Sequence, residues 1–558
     1  MATQYQISPD KVRENNHNRL HSSIKIYEFE EARGRQSQRQ FSQKEKIPRT
    51  TLQYWLKRKE KIDASPALID FFESPDGVAF LHRLVTVAHL EFTKVGVASI
   101  HNVSNFLKAC GLAPFIGSSY ATQRRISNKM DKELIRFGKS ENDRLATQMP
   151  PKAITLAEDE TFHPEICLVA MEPVSNYILL EKYAENRKGE TWDTSVKDAL
   201  TSLPVKVIQV TSDQGSGLLN HVKKRLGVHH SSDIFHVSHD IGKGTSGPLA
   251  SKIRRAEKAF QSAEKQVDKI KEEMHCYDSR ERRPRGRRPG FEKRVNLAEK
   301  QRESAEAELL KARENQETIR AARKRIGHIY HPYDPITGER QDPSTVESLL
   351  DSCFSEINKT AADLSGKCRN HVEKAYKVVA NLVSTIAFFW TMVDQHLENM
   401  NFSGEEKILL KDRLIPGFYL SFVAEKEKDK VRRELIQQQS AELLSIINQH
   451  NGLISEVNPE KTASLIQSAK ECAQFFQRSS SCVEGRNAQL SLRHHGIHRL
   501  SDSHLQAQTV IHNFHIKRED NTTPALRFFE AEHGNLLEHL LNNMDYPPRP
   551  RNRLAMAA

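Results

Sequence analysis

The sequence predicts an α/β core with a mixed five-stranded sheet in the order β-β-β-α-β-α-β, a large α-helical insertion and an N-terminal all-α helix-turn-helix region. Three observations predict this fold class. Short β-rich runs replace helical periodicity from about residue 153. Long segments with apolar residues every three or four positions follow residue 243. A basic segment that favours two short helices lies at residues 40–61.

The sheet begins with three β-rich runs that are separated by turn residues. These runs are residues 153–157, 166–171 and 177–182, and Pro164 and Pro173 mark the turns between them. Short runs joined by tight turns are typical of antiparallel strands. We therefore expect a three-stranded antiparallel meander.

Two further strands and two helices follow the meander. A helix at residues 192–203 leads to an apolar strand at 205–211, and a second helix at 218–226 leads to a fifth strand at 233–237. This order of elements is that of an RNase H-like core.

A helical insertion is predicted from about Lys243 to Ser479, before the last helices of the core. One heptad series runs from Ile253 to Met274, and a second, imperfect series runs from Val295 to Ile326. The segment 280–290 between them is rich in Arg, Pro and Gly. We expect an antiparallel helical hairpin with an arginine-rich tip, which would either contact DNA or form a flexible solvated loop.

Trp390 lies within this insertion, next to Phe388 and Phe389. Three adjacent aromatic residues favour core packing for the tryptophan. Stacking on an unpaired nucleobase is the alternative.

Length and charge restrict the class of protein. A chain of 558 residues is expected to form several domains, at roughly 100–200 residues each. We assign a basic helix-turn-helix region, a second helical DNA-binding or linker region, the first part of the core, the helical insertion with its coiled-coil hairpin, the final core helices and a tail. Their bounds are 1–64, 65–150, 151–243, 244–478, 479–545 and 546–558.

The formal net charge of +11 favours a polyanionic partner, because Lys and Arg release counterions when they neutralise phosphates. Charge alone does not separate a nuclease from a repressor, a ribosomal protein or an RNA binder. No apolar run approaches the ~20 residues of a membrane span, and the start lacks the apolar segment of a secretory signal. We therefore expect a cytoplasmic, nucleoid-associated protein. The seven cysteines include no Cys-x-x-Cys pair, which argues against a zinc ribbon or a disulfide framework.

A helix-turn-helix is predicted near the N-terminus. Residues 41–46 favour a helix, Pro48 ends it, Thr50 or Thr51 can cap the next one, and residues 52–59 have an apolar side and a basic end. The alternative is a basic, solvated helical hairpin.

Residues 120–126 form either a second recognition helix or a packing helix. The candidate DNA contacts in these regions and at the hairpin tip are basic or polar side chains. They are Arg49, Thr51, Gln53, Lys57, Arg58, Lys59, Arg124, Arg125, Arg283, Arg285, Arg287 and Arg288.

Two carboxylates follow predicted strands. Asp159 ends the first strand, and because side chains alternate along a strand it faces away from Glu158 and Glu160. Asp213 directly follows the apolar fourth strand, where a turn-forming role is the alternative. Mg²⁺ prefers oxygen ligands, so carboxylates at strand ends are candidate metal ligands.

Four motifs together resemble a known family. They are Asp-Glu-Thr-Phe from Asp159, Ser-Asp-Gln-Gly around Asp213, Asp-Ile-Phe-His-Val from Asp233 and Val-Glu-Gly-Arg-Asn around Glu484. Over about residues 153–243 and 479–530 the chain resembles the DDE core of bacterial insertion-sequence transposases.

The resemblance implies a metal-binding catalytic triad of Asp159, Asp213 and Glu484, with two Mg²⁺ or Mn²⁺ ions. It implies cleavage at transposon ends followed by strand transfer into double-stranded target DNA, by a homodimer or higher oligomer in a synaptic complex. Arg486 and Arg493 would assist by stabilising developing phosphate charge, with plain phosphate or surface contact as the alternative.

Two other functions remain open from the sequence. One is a non-catalytic, domesticated transposase-like DNA-binding regulator, which would have no need of three carboxylates at strand ends. The other is an RNase H-like nuclease that cuts without joining.

Overall fold

The structure is a computed structural model, and it describes residues 19–162, 164–282, 286–447, 459–496 and 499–550. Helices predominate. The chain divides into two compact units. The first contains the described residues of 1–154, 159–206 and 482–558, and the second contains residues 155–158 and the described residues of 207–481.

The N-terminal part of the first unit is helical throughout. Its helices are α1 Arg19–Glu31, α2 Gln38–Lys44, α3 Arg49–Glu60, α4 Pro66–Phe72, α5 Pro75–Ala88, α6 Ile100–Ala109 and α7 Tyr120–Gln148, with a π-helical segment at His89–Val95. Phe29, Phe41 and Leu52 form a small core under α2 and α3. The predicted helix-break-helix is therefore confirmed, but the predicted cap at Thr50 or Thr51 is wrong, because α3 begins at Arg49 directly after Pro48.

The described residues form one five-stranded mixed sheet. Its strands are β1 Lys152–Phe162, β2 Ile166–Glu172, β3 Tyr177–Ala184, β4 Val205–Ser212 and β5 His229–Ser232. The strand order is β3-β2-β1-β4-β5. Strands β2 and β3 are antiparallel, and β4 and β5 are parallel.

The predicted succession of elements is confirmed. Helix α8, Gly189–Leu200, follows β3, and helix α9, Ser216–Asn220, continues into a π-helical segment at His221–Leu226 before β5. An α/β core with a β-β-β-α-β-α-β order is thus present.

The predicted position of the fifth strand is wrong. The strand is His229–Ser232, and the predicted strand at 233–237 is the start of a helix. The Asp233 carboxylate accepts a hydrogen bond from the backbone N–H of Phe235 at 2.8 Å, which is the geometry of a helix N-cap. Strand β5 is made of His and Ser, so no apolar pattern marked it.

Long helices make up the second unit beyond the sheet. They are α10 Ile234–Asp278, α11 Phe291–Ile329, α12 Pro343–Ala361, α13 Gly366–Tyr376, α14 Val379–Glu398, α15 Gly404–Leu409, α16 Ile415–Lys426, α17 Lys430–Leu444 and α18 Pro459–Gln474, with a π-helical segment at Leu410–Leu414 and a 3₁₀ turn at Ser445–Ile447. Helices α10 and α11 pack along each other through Val267, Ile270 and Ala298. The predicted helical hairpin is confirmed, and the predicted boundary at residues 243/244 lies inside α10.

A large apolar core fills the second unit. Trp390 is 5% exposed and belongs to this core, which confirms its interpretation as a packing residue. One stretch, Gly366–Glu398, is long and apolar enough to cross a membrane by length and composition, a test that core helices of other proteins also pass. Its residues Leu382, Phe389 and Val393 are buried in the same core.

Four helices return the chain to the first unit. They are α19 Ser481–Gly496, α20 Asp502–Phe514, α21 Pro524–Phe529 and α22 Leu536–Asn543.

Candidate active site and nucleic-acid interface

Asp159 is a half-buried residue of β1, and each of its carboxylate oxygens accepts a hydrogen bond. The backbone N–H of Glu160 donates to Oδ1 at 2.9 Å, and the Asn487 side-chain amide donates to Oδ2 at 2.8 Å. Its neighbour Glu160 makes a different contact, an ion pair with Arg187 at 3.0 Å. The donors at both oxygens give the Asp159 carboxylate a defined orientation.

Glu158 has a different environment, within the second unit. Its side chain is fully buried, and its Oε1 lies 3.4 Å from His221 Nε2. This contrast with Asp159 follows the alternation of side chains along β1.

Glu484 lies in the first turn of α19 and is half-buried. Asn487 is three residues further along the same helix, and side chains at that spacing are neighbours with Cβ atoms about 5–6 Å apart. Asn487 contacts Asp159, so the helix that carries Glu484 packs against the strand that carries Asp159. Asp159 and Glu484, two of the three predicted acids, thus lie in the same unit on elements that contact each other through Asn487.

Arg486 holds α19 on the sheet. Its guanidinium donates from Nε and Nη2 to the two carboxylate oxygens of Glu181 on β3, at 2.6 and 2.7 Å, and the Thr509 hydroxyl donates to the same carboxylate at 2.7 Å. Arg486 is 4% exposed. The residue predicted to contact DNA is thus engaged in a buried ion pair.

Arg493 also makes contacts within the protein. Its guanidinium donates to the backbone carbonyls of Lys94, Val95 and Gly96 at 2.8–2.9 Å. These carbonyls end the π-helical segment at His89–Val95, where a helix leaves backbone acceptors unpaired. Burial lowers the pKa of Arg493 to about 10, with the charge of Arg486 adding to the effect.

Asp213 follows β4 in the second unit. Its Oδ1 accepts a hydrogen bond from the backbone N–H of Gly215 at 2.7 Å, so the turn-forming contact considered from the sequence is present. A Cβ at Gly215 would lie 2.9 Å from that oxygen, so a larger residue there would displace the Asp213 carboxylate. The contact engages one carboxylate oxygen and is compatible with metal binding by the other.

His230 on β5 is buried beside this turn. Its Nε2 lies 3.0 Å from the hydroxyl of Ser212, the residue before Asp213. Burial lowers the pKa of His230 to about 4, and the charge of Lys223 lowers it further while Asp213 opposes both effects. The histidine is therefore neutral near pH 7.

The chain that returns from the helical insertion is anchored on the sheet of the second unit. The carbonyl of Gln477 accepts hydrogen bonds from Gln209, Thr211 and Ser231 at 3.0, 3.3 and 3.0 Å. The Ser480 hydroxyl donates to the Asp233 carboxylate at 2.5 Å. These bonds fix the chain immediately before α19 begins.

The carboxylate of Asp159 and the amide oxygen of Asn487 are the oxygen atoms that could ligate a cation here. Among the residues that the structure describes, no group of three or more His, Cys, Asp or Glu side chains is arranged to hold a metal ion. The amide oxygen of Asn487 is buried, however, and accepts no hydrogen bond within the described part of the chain, which costs about 1–3 kcal/mol. Carboxylate and amide oxygens with an unfilled acceptor fit a hard cation such as Mg²⁺ or Mn²⁺ together with its water.

One face of α3 carries the exposed helix-turn-helix candidates. Arg49, Gln53 and Lys57 are spaced by four residues, so they lie along one side of the helix. Arg49 and Lys57 are exposed, whereas Gln53 is half-buried and donates to Gln38 at 3.2 Å. Thr51, in the first turn of α3, is half-buried.

Two basic residues of α3 have partners within the first unit. Lys59 pairs with Glu30 at 2.8 Å and with Asp70 at 3.1 Å, and Arg58 donates to the Pro550 carbonyl at 2.9 Å. They are less available to DNA than Arg49 and Lys57.

The remaining candidate DNA contacts lie on two other elements. Arg124 and Arg125 are exposed near the start of α7. At the hairpin tip Arg287 is exposed, while Arg288 pairs with Asp278 at 2.8 Å and Glu292 at 2.6 Å. Arg283 and Arg285 lie outside the described residues.

Sequence reasoning missed Asn487 and Glu181 as parts of the site. Asn487 stood in the quoted Val-Glu-Gly-Arg-Asn motif, and its spacing of three from Glu484 was a signal that it shares the same helix face. Glu181 carried no local signal, because its partner is 305 residues away.

Comparison with known proteins gives a partial match to a family model. The sequence model of a family of unknown function, DUF6399, matches residues 410–556. This segment includes Glu484 and Asn487 but neither Asp159 nor Asp213. No curated protein and no solved structure matches the chain. Over residues 410–556 the chain is similar to a family whose description gives no activity.

Proposed function

We propose that the protein is a DDE-type DNA transposase with an RNase H-like core, which cleaves DNA at transposon ends and transfers the strand into target DNA in a metal-dependent reaction. The observation that supports this most is the hydrogen bond from Asn487 to Asp159 at 2.8 Å. It associates the strand acid with the helix that carries Glu484, although Asn487 and Asp159 are 328 positions apart in the sequence.

The proposed metal ligands are Asp159, Asp213 and Glu484. Two bound Mg²⁺ or Mn²⁺ ions would stabilise the attacking and leaving oxygens of an in-line displacement. Water attacks a phosphorus at the transposon end, which breaks the P–O3′ bond and yields a 3′-hydroxyl group on one side and a 5′-phosphate on the other. The oxygen of this 3′-hydroxyl group then attacks a phosphorus of the target strand, and the target's own 3′-oxygen leaves as a new 3′-hydroxyl group. The protein contributes the orientation of its carboxylates, through Asn487 at Asp159 and Gly215 at Asp213.

Double-stranded DNA is the proposed partner. Arg49 and Lys57 on α3, with Arg124 and Arg125 on α7 and Arg287 at the hairpin tip, are the exposed cations that support this assignment. We further propose a homodimer or higher oligomer in a synaptic complex, acting at the nucleoid.

A cleavage and joining assay tests the function. The full chain is incubated with Mg²⁺ and duplex DNA from the ends of the element that encodes it, and Asp159→Ala, Asp213→Ala and Glu484→Ala are compared with the wild type. We expect each variant to bind DNA and to lose cleavage. Asp198→Ala, which removes an exposed carboxylate on α8, is the control and should cleave normally. Undiminished cleavage by any one of the three variants would remove that residue from the triad.

The exposed face of α3 also supports a second candidate, a non-catalytic DNA-binding regulator. The same assay separates the functions. Wild-type protein that binds the DNA but never cleaves it is a regulator, and wild-type protein that cleaves without joining is a nuclease.

A further inference from the structure

The hydrogen bonds that Glu160 and Asn487 donate to Asp159 differ in origin. The donor to Oδ1 is the backbone N–H of the next residue, Glu160, at 2.9 Å, whereas the donor to Oδ2 is the amide of Asn487 at 2.8 Å, on another element. A carboxylate oxygen can accept more than one hydrogen bond or ligand, so both oxygens remain able to bind a cation. The hydrogen bond from Asn487 therefore orients the Asp159 carboxylate and leaves its oxygen atoms able to bind a cation.

Asn487 is itself held in place by its neighbour. Arg486 forms the buried ion pair with Glu181, at 2.6 and 2.7 Å, which fixes this turn of α19 against β3. Glu484 precedes Asn487 by three residues on the same helix. One turn of α19 thus supplies a candidate metal ligand and the donor that orients another.

The oxygen atom of the Asn487 side-chain amide is the acceptor to which a ligand could bind. Its Oδ1 is buried and accepts no hydrogen bond among the residues that the structure describes. Buried polar atoms in folded proteins usually have a partner, so this acceptor is available to a water molecule or a cation. A cation with its water beside Asp159 would satisfy this oxygen.

We propose that Asn487 is a positioning residue for Asp159, which holds the carboxylate in the orientation that binds a divalent cation. This inference rests on the proposed function. Residues that orient metal ligands through hydrogen bonds typically contribute about 10–100-fold to metal affinity.

Mn²⁺ binding to the metal-free full chain, measured by titration calorimetry, tests the inference without any turnover. Asn487→Ala removes the donor, and Asn487→Leu removes it at nearly constant volume. Both should bind Mn²⁺ about 10–100-fold more weakly than the wild type. Asp159→Asn should lose this binding, and Leu492→Ala, on the same helix at a side chain that is 67% exposed, should bind as the wild type does.

Cleavage assays provide a second readout. The Asn487 variants should need more Mn²⁺ for half-maximal cleavage and should regain most of the wild-type rate at saturating Mn²⁺, because the ligands themselves are intact. A residue that merely supports the fold would not give this recovery.

The outcomes separate the two proposals. Wild-type Mn²⁺ affinity in both Asn487 variants, with binding lost in Asp159→Asn, would overturn the positioning role and leave the proposed function standing. No Mn²⁺ binding by the wild type would overturn both.

Discussion

Three residues of one helical turn, Glu484, Arg486 and Asn487, have three different environments. The sequence placed Glu484 with the candidate metal ligands and Arg486 with the DNA contacts. In the structure Arg486 is buried against Glu181, and Asn487, which was not singled out, contacts Asp159. Alternation along β1 did separate Asp159 from its acidic neighbours. Residue type and spacing did not distinguish the cations that pair inside the fold, such as Arg486, from those that are exposed, because a cation can pair with a buried acid as readily as with phosphate.

Replacing Arg486 tests the structural role of its ion pair. Arg486→Ala should lower the free energy of unfolding by about 3–5 kcal/mol, because Glu181 would remain buried without its cation. Urea unfolding followed by circular dichroism measures this. Arg499→Ala is the matched control, since the Arg499–Glu165 pair is solvent-exposed and should contribute less than about 1 kcal/mol. Equal, small losses in both variants would contradict the assignment.

At the scale of elements, local patterns identified most helices and strands but not β5. The two heptad series lie in α10 and α11. Pro48, between two helix-favouring segments, predicted the separation of α2 from α3. Strand β5 has no apolar residue. It is held by the parallel ladder to β4 and by side-chain bonds such as Ser231 to the Gln477 carbonyl. Such partners come from distant parts of the chain and leave no local periodicity.

Helix α3 offers a test of DNA binding with a control on the same helix. Arg49→Ala and Lys57→Ala should each weaken binding to duplex DNA and reduce the slope of log K against log salt by about 1, because one phosphate group is no longer neutralised. Lys59→Ala should change the slope less, because Lys59 is paired with Glu30 and Asp70. Fluorescence anisotropy at several salt concentrations measures the slopes. An effect of Lys59→Ala as large as that of Lys57→Ala would contradict the proposed binding face.

For the whole molecule, the decisive feature is how the chain returns from its helical insertion. Within the second unit, Gln477 accepts a hydrogen bond from Gln209 on β4, and Ser480 donates one to Asp233, the N-cap of α10. Within the first unit, the segment 546–550 returns to the N-terminal helices. Arg549 donates to Glu73 at 2.5 and 2.9 Å, and Arg19 donates to the Pro547 carbonyl at 3.0 Å.

Deleting residues 546–558 should therefore destabilise the first unit. Arg549→Ala alone should lower the free energy of unfolding by up to about 3 kcal/mol, since buried Glu73 would keep only the longer ion pair with Arg19 at 3.4 Å. Calorimetric melting measures both variants. Lys129→Ala, which breaks an exposed ion pair with Asp545, is the control and should melt as the wild type does. Unchanged melting of the deletion variant would show that this segment does not stabilise the helices.

The sequence by itself determined the succession of elements, the mixed five-stranded α/β core and the helical hairpin. These features follow from hydrophobic periodicity and turn residues, which are local properties of the chain. Only the tertiary structure decided that Asn487 pairs with Asp159 across 328 residues, that Arg486 pairs with Glu181, and that β5 precedes Asp233. Side-chain hydrogen bonds depend on which distant elements meet, and their free energy changes with burial, so neither can be read from spacing along the sequence.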